Sequence, residues 1–291
     1  MHVLEILSDR YPQLRLPVRT GMHDTELYKN VVLRGEKISD HENAFSMDPR
    51  DQLYTCNTPV GAIDALQLHR REDFEHAYQA LAYRCEPVEI LPSVGAGIIR
   101  GLINWQKIRS HKAAYLAAGH LDWSAEFKRF TADKSNYLDA LILLSSGPYS
   151  DIPAERLHLS ENEWRSKSVQ IRMYHELTHF ICLKIAPEKK DALRDEIYAD
   201  CIGLIAAFGK YDTYWAKLFL GIEGDEFREG GRLEHYADGN VTDHIPRAHS
   251  LIHEAAEGVA QNWRKVSIEE WERLDKQTKE EWIFSLLTKI Y

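Results

Sequence analysis

The sequence predicts an α+β fold that is mainly helical, with a small sheet preceding an antiparallel pair of helices. Three observations carry that expectation. The segment from 161 to 185 contains neither Gly nor Pro, and its apolar residues Val169, Met173, Leu177, Phe180 and Ile181 recur at spacings of three and four. A second segment with helical periodicity follows it after one proline. Ahead of both lies a compact apolar run, Leu138 to Ser146, closed by Gly147-Pro148, which reads as a strand.

The elements can be taken in order. Up to about residue 70 the pattern is mixed, with short strands expected at Asn30–Arg34 and Gln52–Cys56. Residues 71–84 read as a helix with acids in its first turn. The small-residue stretch Pro92-Ser93-Val94-Gly95-Ala96-Gly97 leads into a helix expected over 98–118. Its glycine spacing does not fit a dinucleotide loop and no βαβ unit surrounds it, so it reads as close packing of a loop. After the strand at 138–146 comes the helix over 161–185, stopped by Pro187.

A second helix is expected to open at Pro187-Glu188, where a proline and an acid suit a first turn, and to run to Phe208 with Gly209 as its stop. Tyr211–Leu220 is short and aromatic. Gly230-Gly231 and Asp238–Asp243 read as loops, and Pro246–Trp263 as another helix. Ser267 and Glu270 form a capping box that opens a terminal helix, which Thr278 and Glu281 restart after a bend.

Length and charge bound what this fold can do. A chain of 291 residues can bury a substantial core. Its 36 basic and 45 acidic side chains give a formal charge of −9, which argues against nucleic acid as a partner. No apolar run approaches the roughly 18 residues of a membrane span, so no membrane association is expected. Asp9, Arg10, Arg15 and Arg19 interrupt the N-terminal segment where a secretory signal would be apolar. The four cysteines, Cys56, Cys85, Cys182 and Cys201, show no C-x-x-C spacing. Reduced thiols in the cytoplasm are expected, with Cys182 and Cys201 buried rather than ligating.

The long helix carries His175-Glu176-Leu177-Thr178-His179, a complete H-E-x-x-H. Residues four apart share a helix face, so both imidazoles can converge on one metal ion while Glu176 reaches water as a general base. The second helix carries Glu196 and Asp200 at a spacing of four. If the chain reverses near 186–188, His179 lies about 10 Å and His175 about 16 Å back along the first helix. Glu196 then lies about 12 Å and Asp200 about 18 Å along the second. Glu196 is thus level with the histidine pair and Asp200 with His175. Two imidazoles, one carboxylate and an open position for water make a catalytic zinc site. Asp200 is placed to accept from the far nitrogen of His175.

His175-Glu176-x-x-His179 followed by Glu196-x-x-x-Asp200 is similar to the signature of the gluzincins, the thermolysin-like zinc metallopeptidases. The resemblance covers about 26 residues. It implies Zn²⁺ held by His175, His179 and Glu196, Glu176 as base, Asp200 supporting a ligand histidine, and a peptide or protein substrate. The metzincin motif would need Gly at 182 and His at 185, where this chain has Cys182 and Ile185, and the inverzincin order is absent. The interval from His179 to Glu196 is shorter than in thermolysin, which implies a compact helical hairpin. Thermolysin is also secreted, unlike the cytoplasmic protein expected here.

In that family the strand before the metal helix edges the cleft, so Leu143–Pro148 is expected to border the substrate groove. The domains expected are an N-terminal mixed lobe over 1–150 with this cleft-edge strand and a helical lobe over 151–291, or one continuous catalytic domain. Donors to the developing oxyanion could come from His235, Tyr236, His244, Arg247, His249 or His253. His244 and Arg247 are preferred because they stand immediately before a helix. The pair His249 and His253 lacks an acid-bearing partner helix and is not read as a second metal site. Two other functions remain open: a zinc hydrolase of a non-peptide amide, and a non-catalytic binding or regulatory protein with a structural zinc, closed by Cys182 or Cys201.

Overall fold

A computed structural model describes residues 2–38, 45–188, 191–264 and 266–291. The fold is α+β and mainly helical, with a small mixed sheet of four strands. The chain divides into two compact units. The first takes Met1–Thr55, Ile63–Ile90 and Ile98–Leu143; the second takes Cys56–Ala62, Leu91–Gly97 and Leu144–Tyr291.

In the first unit, α1 (Val3–Arg10) is opened by a capping box between His2 and Glu5. The region expected as a strand at Asn30–Arg34 is helical instead. Thr25 caps a short helix, α2 (Glu26–Tyr28), by accepting from the Tyr28 N–H at 3.1 Å, and this runs into a π-helical turn over Lys29–Leu33. The adjacent Val31 and Val32 suggested extended backbone, but they are buried from a helical turn, so packing overrides their propensity. The strand expected at 52–56 is β1 (Gln52–Thr58), followed by β2 (Gly61–Leu68) and α3 (Arg71–Ala82).

The helix expected from 98 to 118 is split. Residues Ala96–Ile103 form β3, and a helix, α4 (Trp105–Ala117), begins only where the Asn104 side chain accepts from the Lys107 N–H at 3.0 Å. Gly97, Gly101 and the β-branched Ile98, Ile99 and Ile103 disfavour helix up to that cap. Then come α5 (Trp123–Ala132) and β4 (Leu138–Ser145), whose last five residues are all buried. The sheet order is β1-β2-β4-β3, so β4 has a neighbour on each side.

The second unit is built on two helices, α6 (Glu161–Ile185) and α7 (Ala192–Phe208). Ser160 caps the first through the Glu163 N–H. The second does not open at Pro187: Asp191 accepts from the Arg194 N–H at 3.2 Å and sets the start at Ala192. Every residue from Ile197 to Phe208 is buried, as in a helix surrounded by others. Gly203 lets α7 approach α6 closely, since a Cβ there would stand 2.9 Å from the Ile171 carbonyl oxygen.

Around this pair lie α8 (Thr213–Leu220), the two-stranded ribbon β5 (Ile222–Glu223) and β6 (Glu226–Phe227), α9 (Ile245–Asn262), α10 (Ile268–Arg273) and α11 (Lys276–Ile290). Trp164, Phe219, Ile252 and Trp271 belong to the core that they enclose. The capping box at Ser267 and Glu270 is present. The following helix is opened by Asp275 rather than by Thr278, whose N–H donates to Asp275 Oδ1 at 2.9 Å. Among the described residues no helix is long and apolar enough to cross a membrane.

Candidate metal centre

Each of the paired helices delivers part of one polar cluster. From α6 come His175, Glu176 and His179; from α7 come Glu196 and Asp200. The imidazole Nε2 atoms of His175 and His179 stand 3.0 Å apart. Glu196 faces both, with Oε2 3.3 Å from His175 Nε2 and Oε1 3.2 Å from His179 Nε2. A tetrahedral ion with bonds of about 2.0–2.1 Å places its ligand atoms roughly 3.3 Å apart. These three residues therefore form a group able to hold a metal ion.

The remaining partners organise this triangle. His175 Nδ1 lies 2.9 Å from Asp200 Oδ1. Asp200 is only 1% exposed, a carboxylate embedded in an otherwise apolar stretch of α7. Two residues that sequence reasoning missed complete the arrangement. Tyr149 donates through its hydroxyl to Asp200 Oδ1 at 2.5 Å. Arg232, itself buried, donates through Nη2 to Glu196 Oε2 at 2.7 Å and through Nη1 to both Asp200 oxygens at 3.1 Å. Both lie in turns, Tyr149 after Gly147-Pro148 and Arg232 after Gly230-Gly231. No local spacing ties either to the metal helices; the only signal was a chemically able side chain beside a loop.

Charge supports a cation here. The carboxyl groups of Glu176, Glu196 and Asp200 gather around a single guanidinium, that of Arg232. A divalent ion held by His175, His179 and Glu196 would offset that excess of acidic groups. Unmatched buried charge costs several kcal/mol per ion, so the balance matters.

The same field moves the individual groups. Burial pushes His175 down, but Glu196 and Asp200 outweigh it and raise it to about 10. Burial also pushes Glu196 up, yet His175 and His179 hold its carboxyl well below the usual range. Asp200 is lowered by Arg232 and His175 against the same burial. Glu176 moves the other way: burial raises it, and the two histidines offset only part of the rise. A carboxylate raised in this way is the more competent proton acceptor.

A cavity of about 260 Å³ opens on the cluster. Glu176 reaches it beside the two histidines, with His235 and Tyr236 also on its lining. Another wall is the segment Ser93–Gly97. The expected cleft-edge strand is corrected accordingly. With β2 and β3 on its two sides, β4 has no open edge for a peptide, and the wall comes from the residues that enter β3, an outer strand of the sheet. Gly95 leaves room in this wall for the Arg172 guanidinium, on which a Cβ there would press.

The two preferred oxyanion donors do not join the centre. His244 is half-buried, and its Nε2 lies 3.2 Å from the Asp238 carbonyl oxygen. Arg247 is exposed and pairs with Asp191 at 2.6 Å. Neither lines the cavity. The register of α9 explains this, because its buried face presents Ile245, Ala248, Leu251 and Ile252 to the core and leaves His244 and Arg247 off that face. His235 and Tyr236, on the 3-10 turn that also brings Arg232, are the donors of that region at the cavity. The four cysteines are buried thiols, and neither Cys182 nor Cys201 belongs to the metal-holding group.

No curated protein and no solved structure matches the chain. A model of a family of unknown function, DUF7005, matches residues 1–290, and the chain belongs to that family.

Proposed function

We propose that the protein is a zinc-dependent metallopeptidase of gluzincin type, with His175, His179 and Glu196 as the metal ligands. The observation that carries this reading is the convergence of His175 Nε2, His179 Nε2 and Glu196 at 3.0–3.3 Å, beside a buried Glu176 that borders the cavity. Bound there, zinc supplies a Lewis acid that polarises the scissile carbonyl and acidifies water.

The chain's own residues account for the remaining roles. Glu176 takes the proton of the attacking water and passes it to the leaving amine. Asp200 and Arg232 hold His175 and Glu196 in place. Tyr236 and His235 are the donors available to the developing oxyanion, in place of His244 and Arg247. The Ser93–Gly97 wall limits the space around the scissile bond.

A structural zinc is disfavoured, since such a site would be closed by a fourth protein ligand and would not need Glu176. One observation favours a second reading. At about 260 Å³ the cavity lies below the roughly 300–1,000 Å³ of sites for drug-sized ligands. That would suit a small non-peptide amide. The reducing cytoplasm fits four cysteines that remain thiols.

Metal analysis combined with Glu176→Gln tests the proposal. Purified protein should carry one zinc per chain, and the variant should keep it while losing hydrolysis of peptides in a mixed substrate library by about 10²–10⁴-fold. Hydrolysis of small amides alone would select the second reading. Absence of stoichiometric metal would overturn both.

A further inference from the structure

We propose that Tyr149 is a positioning residue that holds Asp200 Oδ1 against Nδ1 of His175, so that the hydrogen of the neutral imidazole stays on Nδ1 and its Nε2 lone pair faces the candidate metal position. The inference rests on the zinc reading and extends it to a residue outside the ligand set.

The argument follows the protons. A phenol has one hydrogen to donate, and an ionised carboxylate only accepts. The shortest contact of the Tyr149 hydroxyl is with Asp200 Oδ1, at 2.5 Å, so the phenolic proton lies there. Arg232 Nη1 donates to the same hydroxyl oxygen at 2.9 Å. His175 Nδ1 sits 3.0 Å from that oxygen and 2.9 Å from Asp200 Oδ1. Both neighbours of Nδ1 therefore face it as acceptors. Nδ1 carries the hydrogen, and Nε2 is the nitrogen left to ligate. If the phenol donated to Nδ1 instead, the hydrogen of the neutral ring would sit on Nε2 and block the metal.

The turn that carries Tyr149 is built to hold this geometry. Ser150 and Asp151 are consecutive non-glycine residues with φ of 53° and 56°, in the left-handed region that L-residues enter at a cost. The surroundings enforce it. The Tyr149 N–H donates to Ser168 Oγ at 3.0 Å, and Arg172 donates to the Gly147 and Pro148 carbonyls at 2.5 Å. Ser168 and Arg172 stand on α6, the helix of His175, so the phenol is registered to the imidazole through one rigid element. Arg232 Nη1 also donates to Ser150 Oγ at 3.2 Å.

The test is zinc affinity, measured by competition with a chromophoric chelator, for the full chain and two variants. Tyr149→Phe removes the hydroxyl and keeps the ring. Phe219→Leu removes the ring that packs edge-on against Tyr149 at 5.0 Å and keeps the hydroxyl. Tyr149→Phe should bind zinc about 10–100-fold more weakly. Phe219→Leu should lower the melting temperature but leave affinity within about threefold of the parent. Equal affinities for Tyr149→Phe and the parent overturn the proposal. So does an equal loss in both variants, which would mean packing and not the hydroxyl. A parent that binds no zinc overturns the zinc reading itself, and this inference with it. Should Tyr149→Phe not fold, Ser168→Ala, which removes the bond from α6 to the Tyr149 N–H, must weaken binding by at least about threefold or the proposal fails.

Discussion

Arg232 and Glu196 are joined by a 2.7 Å ion pair in which the guanidinium, through its other nitrogen, also serves Asp200. One side chain thus ties a candidate ligand to the carboxylate behind another. Breaking a buried pair by removing one partner costs about 3–5 kcal/mol, because the remaining charge is left uncompensated. Arg232→Met is therefore expected to lower the unfolding free energy by about that amount. Urea denaturation with divalent metal chelated measures it, and a loss below 1 kcal/mol would contradict the pairing.

His244 and Arg247 are expected to be dispensable. Alanine at either position should leave zinc content and turnover within about twofold, since neither lines the cavity and the Arg247–Asp191 pair is a surface one. Tyr236→Phe and His235→Ala should instead reduce kcat, by up to about 10²–10³-fold for whichever donates to the oxyanion. Steady-state kinetics on the four variants separates the groups.

The contrast between these pairs shows what was legible in the sequence. The helix bounds at 161 and 185 and the facing of His175, His179, Glu196 and Asp200 follow from helical periodicity and from a short connection, both local properties. Arg232 and Tyr149 reach the centre from turns more than 20 residues away in sequence from their partners Glu196 and His175. Only tertiary structure brings such groups together. His244 and Arg247 were chosen for chemistry and proximity to a helix, but the buried face of α9 decides their direction. The strand β3 was missed because its glycines and isoleucines abut a helical sequence without a break until Asn104.

Gly203→Ala opposes two effects. Alanine in mid-helix is favoured over glycine by about 1 kcal/mol. Here its Cβ would stand 2.9 Å from the Ile171 carbonyl oxygen and 3.0 Å from Ile171 Cγ2. Backbone cannot yield as a flexible side chain can, so the clash should win, with a net loss of about 1–3 kcal/mol. Thermal unfolding measures it, and a gain in melting temperature would mean that α6 and α7 are farther apart than described.

Cys85 gives a pH dependence away from the metal. Burial pushes its thiol up to about 12 from an ordinary value near 9. Between those values the unfolded chain loses a proton that the folded chain keeps. Folding stability attributable to this group is therefore intact below pH 9 and falls as pH rises through about 12, by about 1.4 kcal/mol per pH unit. Cys85→Ala should flatten that part of the alkaline unfolding profile. Native protein at pH 8.5 should also resist iodoacetamide at this position, as read by mass spectrometry.

The chain enters the second unit in three separate passages, 56–62, 91–97 and 144–291. The cavity wall belongs to the middle one and every candidate ligand to the last. No single cut yields a portable version of this centre. A fragment starting at residue 144 would carry His175, His179, Glu196, Asp200, Tyr149 and Arg232 and still lack Ser93–Gly97. Grafting or circular permutation of this centre must keep a contributor encoded some eighty residues upstream of its first histidine.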